Sequence, residues 1–186
     1  RTGLRVEVHA GLVEDSTIGA LAGAGVDAML IDVVGDDQTI REYLGGRWSA
    51  TDYKRTLTAI RASSIPVLAP HVLIGVDGGR IRGEYSAVDM IAEARPNACA
   101  MLILTDAPAD PDAGDVEKVL DYAREKLECH LTLGCMRGRG VDRSKYEMMA
   151  VNLGYDGIAN PSSEIEKSVA SAGIGVVWKE GCCIFS

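Results

Sequence analysis

Apolar runs of five to ten residues alternate along this chain with stretches in which apolar residues recur every three or four positions. Runs of the first kind are typical of strands buried on both faces of a parallel sheet, and the second pattern is typical of amphipathic helices. The alternation therefore predicts βα units. The strand candidates are residues 4–10, 26–34, 66–75, 98–104, 129–134, 155–159 and 174–178.

Helical patterns fill the connections between these runs. The segment from Ser49 to Asp52 resembles a capping box and predicts a helix that runs towards Ser63. Gly25 closes another predicted helix, because glycine is favoured just past a helix C-terminus. Charged residues occupy one face of the segment 115–127, which predicts a surface helix. The predicted helices are residues 14–24, 49–63, 84–94, 115–127, 143–153 and 163–172.

The number of units favours part of a (β/α) barrel of the TIM type. A complete eight-unit barrel takes about 250 residues, so that six units predict about 180, and this chain has 186. A doubly wound open sheet would also accept six units, but no GxGxxG motif follows the first run. We therefore predict an α/β fold, a partial TIM-type barrel of about six βα units, as a single domain over residues 1–186.

Composition narrows the class of function. A hydrophobic content of 47% supplies a sizeable core, and a net charge of -8 argues against a nucleic-acid partner. No run reaches the roughly 18 apolar residues of a membrane span, and the first residues lack the apolar core of a signal peptide. We therefore expect a cytoplasmic protein with no membrane partner. Because the chain begins with Arg1 instead of Met, either its N-terminus was processed or it is part of a longer polypeptide.

Five cysteines are an odd number, which argues against a complete disulfide framework. Cys99 and Cys129 lie inside or at the start of apolar runs, which is typical of core cysteines. Cys135, Cys182 and Cys183 lie in the polar, glycine-flanked segments LGCMRGRG and KEGCCIFS, where thiolates suit iron–sulfur ligation. No C-x₂-C pair is present, so a purely structural role for these three residues stays open.

Polar residues follow several of the predicted strands. In barrels and open α/β sheets the ligand lies at the carboxyl ends of the strands, so these residues are expected to meet at one rim. Each one alone has a structural explanation: a core histidine with satisfied hydrogen bonds, a carboxylate that caps a loop, or a solvated arginine. Asp36 and Asp37 resemble the start of a following helix. Convergence nevertheless favours a binding site formed by His9, Asp32, His71, Arg137 and Arg139.

The loop after the third run, HVLIGVDGGRIRGEY (residues 71–85), combines glycines with charged residues. Glycines remove side chains where backbone must approach a flat or anionic ligand closely, and Ile81 offers an apolar surface for a nucleotide base. A tight βα turn with ordinary steric needs is the alternative, which the spacing leaves open. The glycines concerned are Gly75, Gly78, Gly79 and Gly83.

Several of these segments together resemble a known family. The series VHAGLV, GVDAMLIDVVGDDQTI, PHVLIGVDGGRIRGEY, LGCMRGRG, GYDGIANPS and KEGCCIF is similar to the radical S-adenosylmethionine (SAM) enzymes of the biotin synthase-like group. The nearest match is the archaeal-type lipoyl synthase branch. The similarity extends over essentially the whole chain, and GGRIRGE and GCMRxRG are its most specific motifs.

The resemblance implies a radical SAM barrel of which this chain corresponds to strands three to eight. The family's first strand leads into a CxxxCxxC loop that binds the catalytic [4Fe–4S] cluster, and its second strand ends in a GGE-like motif; neither occurs here. This chain alone is therefore expected to be inactive.

For the full-length parent, the resemblance implies an enzyme that cleaves SAM to a 5′-deoxyadenosyl radical. The most specific expectation is sulfur insertion into an octanoyl chain, with a lipoyl-domain protein as substrate. The alternative is a non-catalytic, degenerate or split barrel that acts as a binding or assembly subunit, its missing strands supplied by a partner chain.

The resemblance also implies roles for individual residues. Gly79, Ile81 and Gly83 match the family's GxIxG pattern, in which the apolar residue packs against the adenine of SAM. Asp32 falls where a polar side chain commonly meets the ribose, and Glu84 comes early relative to the family's usual glutamate. Cysteines after the fifth run and at the C-terminus become ligands of an auxiliary iron–sulfur cluster. The predicted cofactor-binding residues are His9, Asp32, His71, Gly79, Ile81, Gly83, Glu84, Arg137 and Arg139, and the predicted metal ligands are Cys135, Cys182 and Cys183.

Overall fold

A parallel sheet with helices between its strands forms the centre of the molecule. The computed structural model describes residues 3–43, 45–105, 109–138 and 141–182, and in these residues the sheet has six strands. Each strand pairs in parallel with the next one along the chain, in the order β1 to β6. The strands are β1 (Glu7–His9), β2 (Ala28–Val33), β3 (Val67–Ile74), β4 (Ala98–Ile103), β5 (His130–Leu133) and β6 (Gly157–Ile158).

Helices occupy every connection between consecutive strands, and one more follows the last strand. Each predicted helix forms, with ends within two residues of those expected. None of the helices in the described ranges is both long and apolar enough to cross a bilayer. The helices are α1 (Asp15–Gly23), α2 (Asp37–Tyr43), α3 (Ala50–Ala62), α4 (Glu84–Ala94), α5 (Ala113–Lys126), α6 (Val141–Asn152) and α7 (Ser163–Ser171).

The prediction of a partial TIM-type barrel is confirmed. A barrel closes when its first and last strands pair. Within the described residues β1 pairs only with β2, and β6 pairs only with β5, so the sheet is open.

The two faces of the sheet have different environments. Side chains alternate between the faces of a strand, and Met29 and Ile31 of β2 join Leu57 of α3 in the main hydrophobic core beneath the helices. A second, smaller cluster on the opposite face contains strand residues and no helix residue, and the half-buried Cys182 packs against it. Its members are Ala28, Leu30, Ala69 and Ala98.

Two local expectations have informative outcomes. The seventh predicted strand, residues 174–178, does not form, because the chain leaves α7 through Gly173 at φ 70° and pairs with no strand in the described residues. Val177 and Trp178 of this run are exposed instead.

The interpretation of Asp36 as a helix start is confirmed, because its carboxylate accepts a 2.7 Å hydrogen bond from the backbone N–H of Thr39 in α2.

Candidate functional site

Three polar side chains meet at the carboxyl ends of the first three strands. His9 ends β1, Asp32 lies near the end of β2, and His71 lies in the second half of β3. Residues Asp32 and His71 are partners in the β2–β3 register, and His9 is the partner of Leu30. Because Asp32 follows Leu30 by two positions, all three side chains project from the face that carries the small cluster of strand residues.

Asp32 links the two histidines. Its Oδ1 atom lies 3.1 Å from His71 Nδ1 and 3.1 Å from His9 Nε2. The two imidazole rings meet edge to face, with their centroids 5.1 Å apart. His71 is buried, whereas the side chain of His9 is 44% exposed. The group thus reaches from the interior to the surface.

The electrostatic balance favours an ionised carboxylate in this group. Burial raises the pKa of Asp32, but the hydrogen bond with His71 and the charges of His9 and His71 outweigh it and hold the pKa below the usual value. Burial, with the negative charge of Asp32, raises the pKa of Tyr53 to about 12, so this phenol stays protonated.

One nitrogen of His71 remains available for a ligand. When Asp32 is ionised, a neutral His71 donates its Nδ1–H to the carboxylate and keeps a lone pair on Nε2. That Nε2 atom is buried and has no hydrogen-bond partner among the described residues. Buried polar atoms without partners are uncommon and mark places where a ligand, ion or water completes the bonding.

The glycine loop is packed tightly against two neighbouring loops. Gly79 has a φ of 87°, and a Cβ atom there would collide with the carbonyl oxygen of Ala109 and come within 2.9 Å of that of Asp110. A Cβ atom on Gly83 would come within 2.7 Å of the backbone nitrogen of Asp36. Protein backbone therefore fills the space beside both glycines, which supplies the steric explanation of the motif. The cofactor-binding role of Gly79 and Gly83, and the adenine contact of Ile81 between them, stay predictions.

Glu84 holds the same loop in place. Its carboxylate is buried and accepts backbone hydrogen bonds from Gly75 at 2.8 Å, Arg82 at 2.7 Å and Gly83 at 3.0 Å. Both carboxylate oxygens are thus engaged at the start of α4. Ile81 is half-buried and packs against the main hydrophobic core.

Asp77 is a structural carboxylate of the loop that the sequence reasoning missed. It is 1% exposed and accepts a 2.9 Å hydrogen bond from Arg80 Nε. Arg82 Nη1 lies 3.4 Å from it, and Arg82 Nε lies 3.7 Å from Asp36. The available signal was a carboxylate between glycines in GVDGGR, close to two arginines.

Arg137 lies in a buried network that joins the ends of β5 and β6. Its guanidinium pairs with Glu147 of α6, donates to the carbonyl oxygen of Gly134, and donates to that of Asn160 at 3.0 Å. Arg143 also pairs with Glu147, at 3.1 Å. Burial lowers the pKa of Arg137. The structure thus gives this arginine a positioning role, and its predicted contact with a cofactor stays a prediction.

Glu147 is the second buried carboxylate that the sequence reasoning missed. Burial raises the pKa of Glu147, but hydrogen bonds from Ser162, Arg137 and Arg143 outweigh it and lower the pKa. Ser162 donates both its backbone N–H and its hydroxyl to this carboxylate. The signal in the sequence was a charged residue four positions after Arg143 and next to Tyr146. Tyr146, and Ala150 three positions after Glu147, are both buried in the structure.

The predicted cysteine ligands lie in different settings. Cys135 is exposed just after β5, and Cys182 packs against the small cluster of strand residues. Arg139 and Cys183 lie outside the described residues. The auxiliary-cluster ligand set therefore stays a prediction. Cys129 packs against the main core as expected, and burial raises the pKa of its thiol to about 11.

Comparisons with known proteins give the fold. Neither protein-family models nor curated proteins match the sequence. The chain is similar to the solved structure of methylornithine synthase (PylB), with a TM-score of 0.62 and 11% identity over 95% of this chain and 60% of that one. It is also similar to 2,3-dimethylmalate lyase, a member of the PEP mutase/isocitrate lyase superfamily, with a TM-score of 0.53 and 13% identity over 92% of this chain and 63% of that one.

These similarities support the barrel architecture, because both neighbours are TIM-barrel enzymes. At such low identity they establish the fold alone. The chain spans less than two thirds of the length of either neighbour. The site at the carboxyl ends of β1, β2 and β3 is where enzymes of this architecture bind their ligands.

Proposed function

We propose that this chain is the C-terminal part of a radical SAM enzyme whose complete barrel generates a 5′-deoxyadenosyl radical. The observation that carries the proposal is the fold shared with methylornithine synthase, which is a radical SAM enzyme. It agrees with the family that the motifs GGRIRGE and GCMRxRG resemble. Because a complete barrel has eight βα units and this sheet has six strands, polypeptide outside this chain would supply two further units together with the catalytic cluster.

The residues of this chain do not fit the catalytic [4Fe–4S] cluster. A SAM-cleaving cluster needs three closely spaced thiolates and an open iron, and the sequence contains no CxxxCxxC motif. The cysteines at positions 99 and 129 are packed into the core. Redox chemistry of this kind belongs to the cofactor, and the protein supplies binding and orientation. We therefore assign no step of the reaction to this chain.

The contribution proposed for this chain is to bind and orient SAM. The glycine loop presents Ile81 and its backbone beside the carboxyl ends of β2 and β3, and Asp32 offers an ionised carboxylate at the same rim. Ribose hydroxyls are suitable donors to such a carboxylate. Glu84 holds the glycine loop through its buried hydrogen bonds, and Arg137 holds the ends of β5 and β6 at the same rim.

Sulfur insertion into a protein-bound octanoyl chain is the specific reaction that we propose for the parent enzyme. It follows from the resemblance to archaeal-type lipoyl synthases, and a lipoyl-domain protein would be the partner substrate. An auxiliary cluster as sulfur donor would need Cys135, Cys182 and Cys183. Of these, Cys135 is exposed at the rim, where a substrate could reach it.

A SAM-cleavage assay tests the proposal. The source protein and this chain alone are each reconstituted with iron and sulfide under anaerobic conditions, reduced, and assayed for methionine and 5′-deoxyadenosine. We expect product from the source protein and none from this chain, because only the former supplies cluster ligands. Robust cleavage by this chain, or none by a source protein that has taken up a [4Fe–4S] cluster, would refute it. Sulfur transfer is then measured by the mass of an octanoylated lipoyl domain.

The open edges of the sheet favour a second candidate function, in which the chain is a non-catalytic assembly subunit. In the described residues the outer edges of β1 and β6 pair with no strand, and unpaired edges are templates for association. Leu4 and Val6, just before β1, are exposed apolar residues at that edge. A partner chain that completes the barrel would then co-purify with this chain in a defined ratio. Size-exclusion chromatography with light scattering of the source protein distinguishes this hypothesis from a single longer polypeptide.

A further inference from the structure

We infer that His9, Asp32 and His71 form a binding site for a divalent transition-metal ion such as Zn²⁺ or Fe²⁺. In the described residues they are the group whose potential ligand atoms, one from each residue, lie within 4.8 Å of one another. The inference does not rest on the proposed radical SAM activity, and it concerns a single ion that is distinct from any iron–sulfur cluster.

The distances in the group suit coordination of one ion. Two atoms that each lie about 2.1 Å from a metal are roughly 3.0 Å apart at octahedral angles and roughly 3.4 Å apart at tetrahedral angles. Asp32 Oδ1 lies 3.1 Å from a nitrogen of each histidine, within that range. The ligand nitrogens of the two histidines lie within 4.8 Å of each other, so binding one ion requires only a small movement of the half-exposed His9 ring.

The chemistry of the three ligands selects the class of metal. Two imidazoles and one carboxylate suit zinc, iron(II) and related ions, whereas Mg²⁺ and Ca²⁺ prefer oxygen ligands. Three protein ligands leave coordination positions open for a substrate or water, as in catalytic sites.

His71 would bind the ion through Nδ1, the nitrogen that lies 3.1 Å from Asp32 Oδ1. Its side chain is 8% exposed, so the ring is held by the surrounding strands. In a neutral imidazole that binds through Nδ1, the ring proton lies on Nε2. The Nε2 atom, which has no hydrogen-bond partner in the described residues, is therefore not a ligand of this ion.

The position in the fold supports the same assignment. Strands β1, β2 and β3 each supply one ligand near their carboxyl ends, where TIM-type enzymes place catalytic residues on rigid strands. The ligands come from three neighbouring strands whose register is fixed by parallel pairing. In this inference Asp32 binds the ion through Oδ1, the oxygen that faces both histidines, and the ribose contact of the proposed function falls to Oδ2.

Metal uptake by the isolated protein tests the inference. The protein is dialysed against micromolar Zn²⁺ or Co²⁺, with Mg²⁺ as the comparison ion, and bound metal is measured by mass spectrometry. We expect one additional zinc or cobalt ion per chain and no magnesium. The absorption of bound Co²⁺ should lack the near-ultraviolet charge-transfer band of thiolate ligands. No stoichiometric uptake, or a thiolate band, would overturn the inference.

Single substitutions distinguish metal binding at His9, Asp32 and His71 from metal binding elsewhere in the chain. We expect His9→Ala and Asp32→Asn each to lower the affinity for Zn²⁺ by at least about 100-fold, because the loss of a ligand costs no less than the roughly 10–100-fold that loss of an outer-shell partner costs. The exposed position of His9 makes its substitution compatible with folding, which circular dichroism verifies. His130→Ala is the matched control, because His130 lies on β5 outside the group. Unchanged affinity in His9→Ala and Asp32→Asn, or an equal loss in His130→Ala, would contradict the assignment.

Discussion

Two buried carboxylates each hold several segments of this chain together. Glu84 and Glu147 are 2% and 0% exposed, and each organises backbone or arginine donors from more than one segment. Charged groups are rarely buried unless they are paired. Glu84 thus holds the loop that follows β3, the strand of His71, and Glu147 holds the ends of β5 and β6.

Glu147→Gln should destabilise the protein, and the effect should depend on pH. Breaking a buried ion pair leaves Arg137 without its partner and costs on the order of 3 kcal/mol in the free energy of unfolding. Because the pKa of Glu147 is lowered in the folded state, its stabilisation is present above its usual pKa of 4.5 and is lost as the pH falls through the folded-state pKa. The difference between variant and wild type should therefore shrink below about pH 4.5.

Urea unfolding at neutral and acidic pH measures this effect. Glu125→Gln is the matched control, because Glu125 is exposed on α5, and we expect it to change the free energy of unfolding by less than about 0.5 kcal/mol. A Glu147→Gln variant as stable as wild type at neutral pH would show that the network does not stabilise the fold.

Gly79→Ala tests the packing of the glycine loop at a single atom. Both Gly79 and Gly154 have positive φ, at 87° and 72°, but only a Cβ atom on Gly79 would meet neighbouring backbone. The left-handed conformation alone costs about 1 kcal/mol with a Cβ atom. We expect Gly154→Ala to show roughly this cost and Gly79→Ala to exceed it by about 1–3 kcal/mol. Equal losses in thermal or urea unfolding would argue against the close contact with Ala109.

At the scale of elements, much of the fold could be predicted from the sequence. Continuous apolar runs such as 98–104 predict strands buried on both faces, and β4 is fully buried. Val116, Val119 and Leu120 occupy the buried face of α5 as the periodicity indicates. Periodicity could not reveal that residues 174–178 pair with no strand among the described residues, because a strand requires a neighbouring edge that local sequence does not specify.

The candidate site could be predicted in part. The rule that ligands bind at the carboxyl ends of strands places His9, Asp32 and His71 at one rim, and the structure brings them together. The same rule selects Arg137 but cannot show that its guanidinium is buried against Glu147. That contact depends on how α6 packs over β5 and β6, which involves residues far apart in the sequence.

Edge and central strands should differ in hydrogen exchange. Amides of β3 and β4, which are paired on both sides, should exchange only through global unfolding. Amides of β1 and β6 should exchange faster, because each strand has one unpaired edge in the described residues. Exchange mass spectrometry of this chain measures the difference. Protection of β1 equal to that of β3 would contradict an open edge and would instead indicate that another strand covers it.

At the scale of the whole molecule, six βα units account for the length and the open sheet. Eight units close a TIM barrel, and a six-stranded sheet leaves two edges that further strands could complete. The fold shared with methylornithine synthase covers 60% of that enzyme. The central proposal is therefore that polypeptide upstream of this chain supplies the remaining units together with the catalytic cluster.

The mass of the intact source protein, with sequencing of its peptides, tests this proposal most directly. We predict a single polypeptide well above 19.7 kDa whose peptides upstream of Arg1 contain a CxxxCxxC motif. A mature protein of 19.7 kDa that begins at Arg1 would contradict the proposal and would favour an assembly subunit completed by a partner chain.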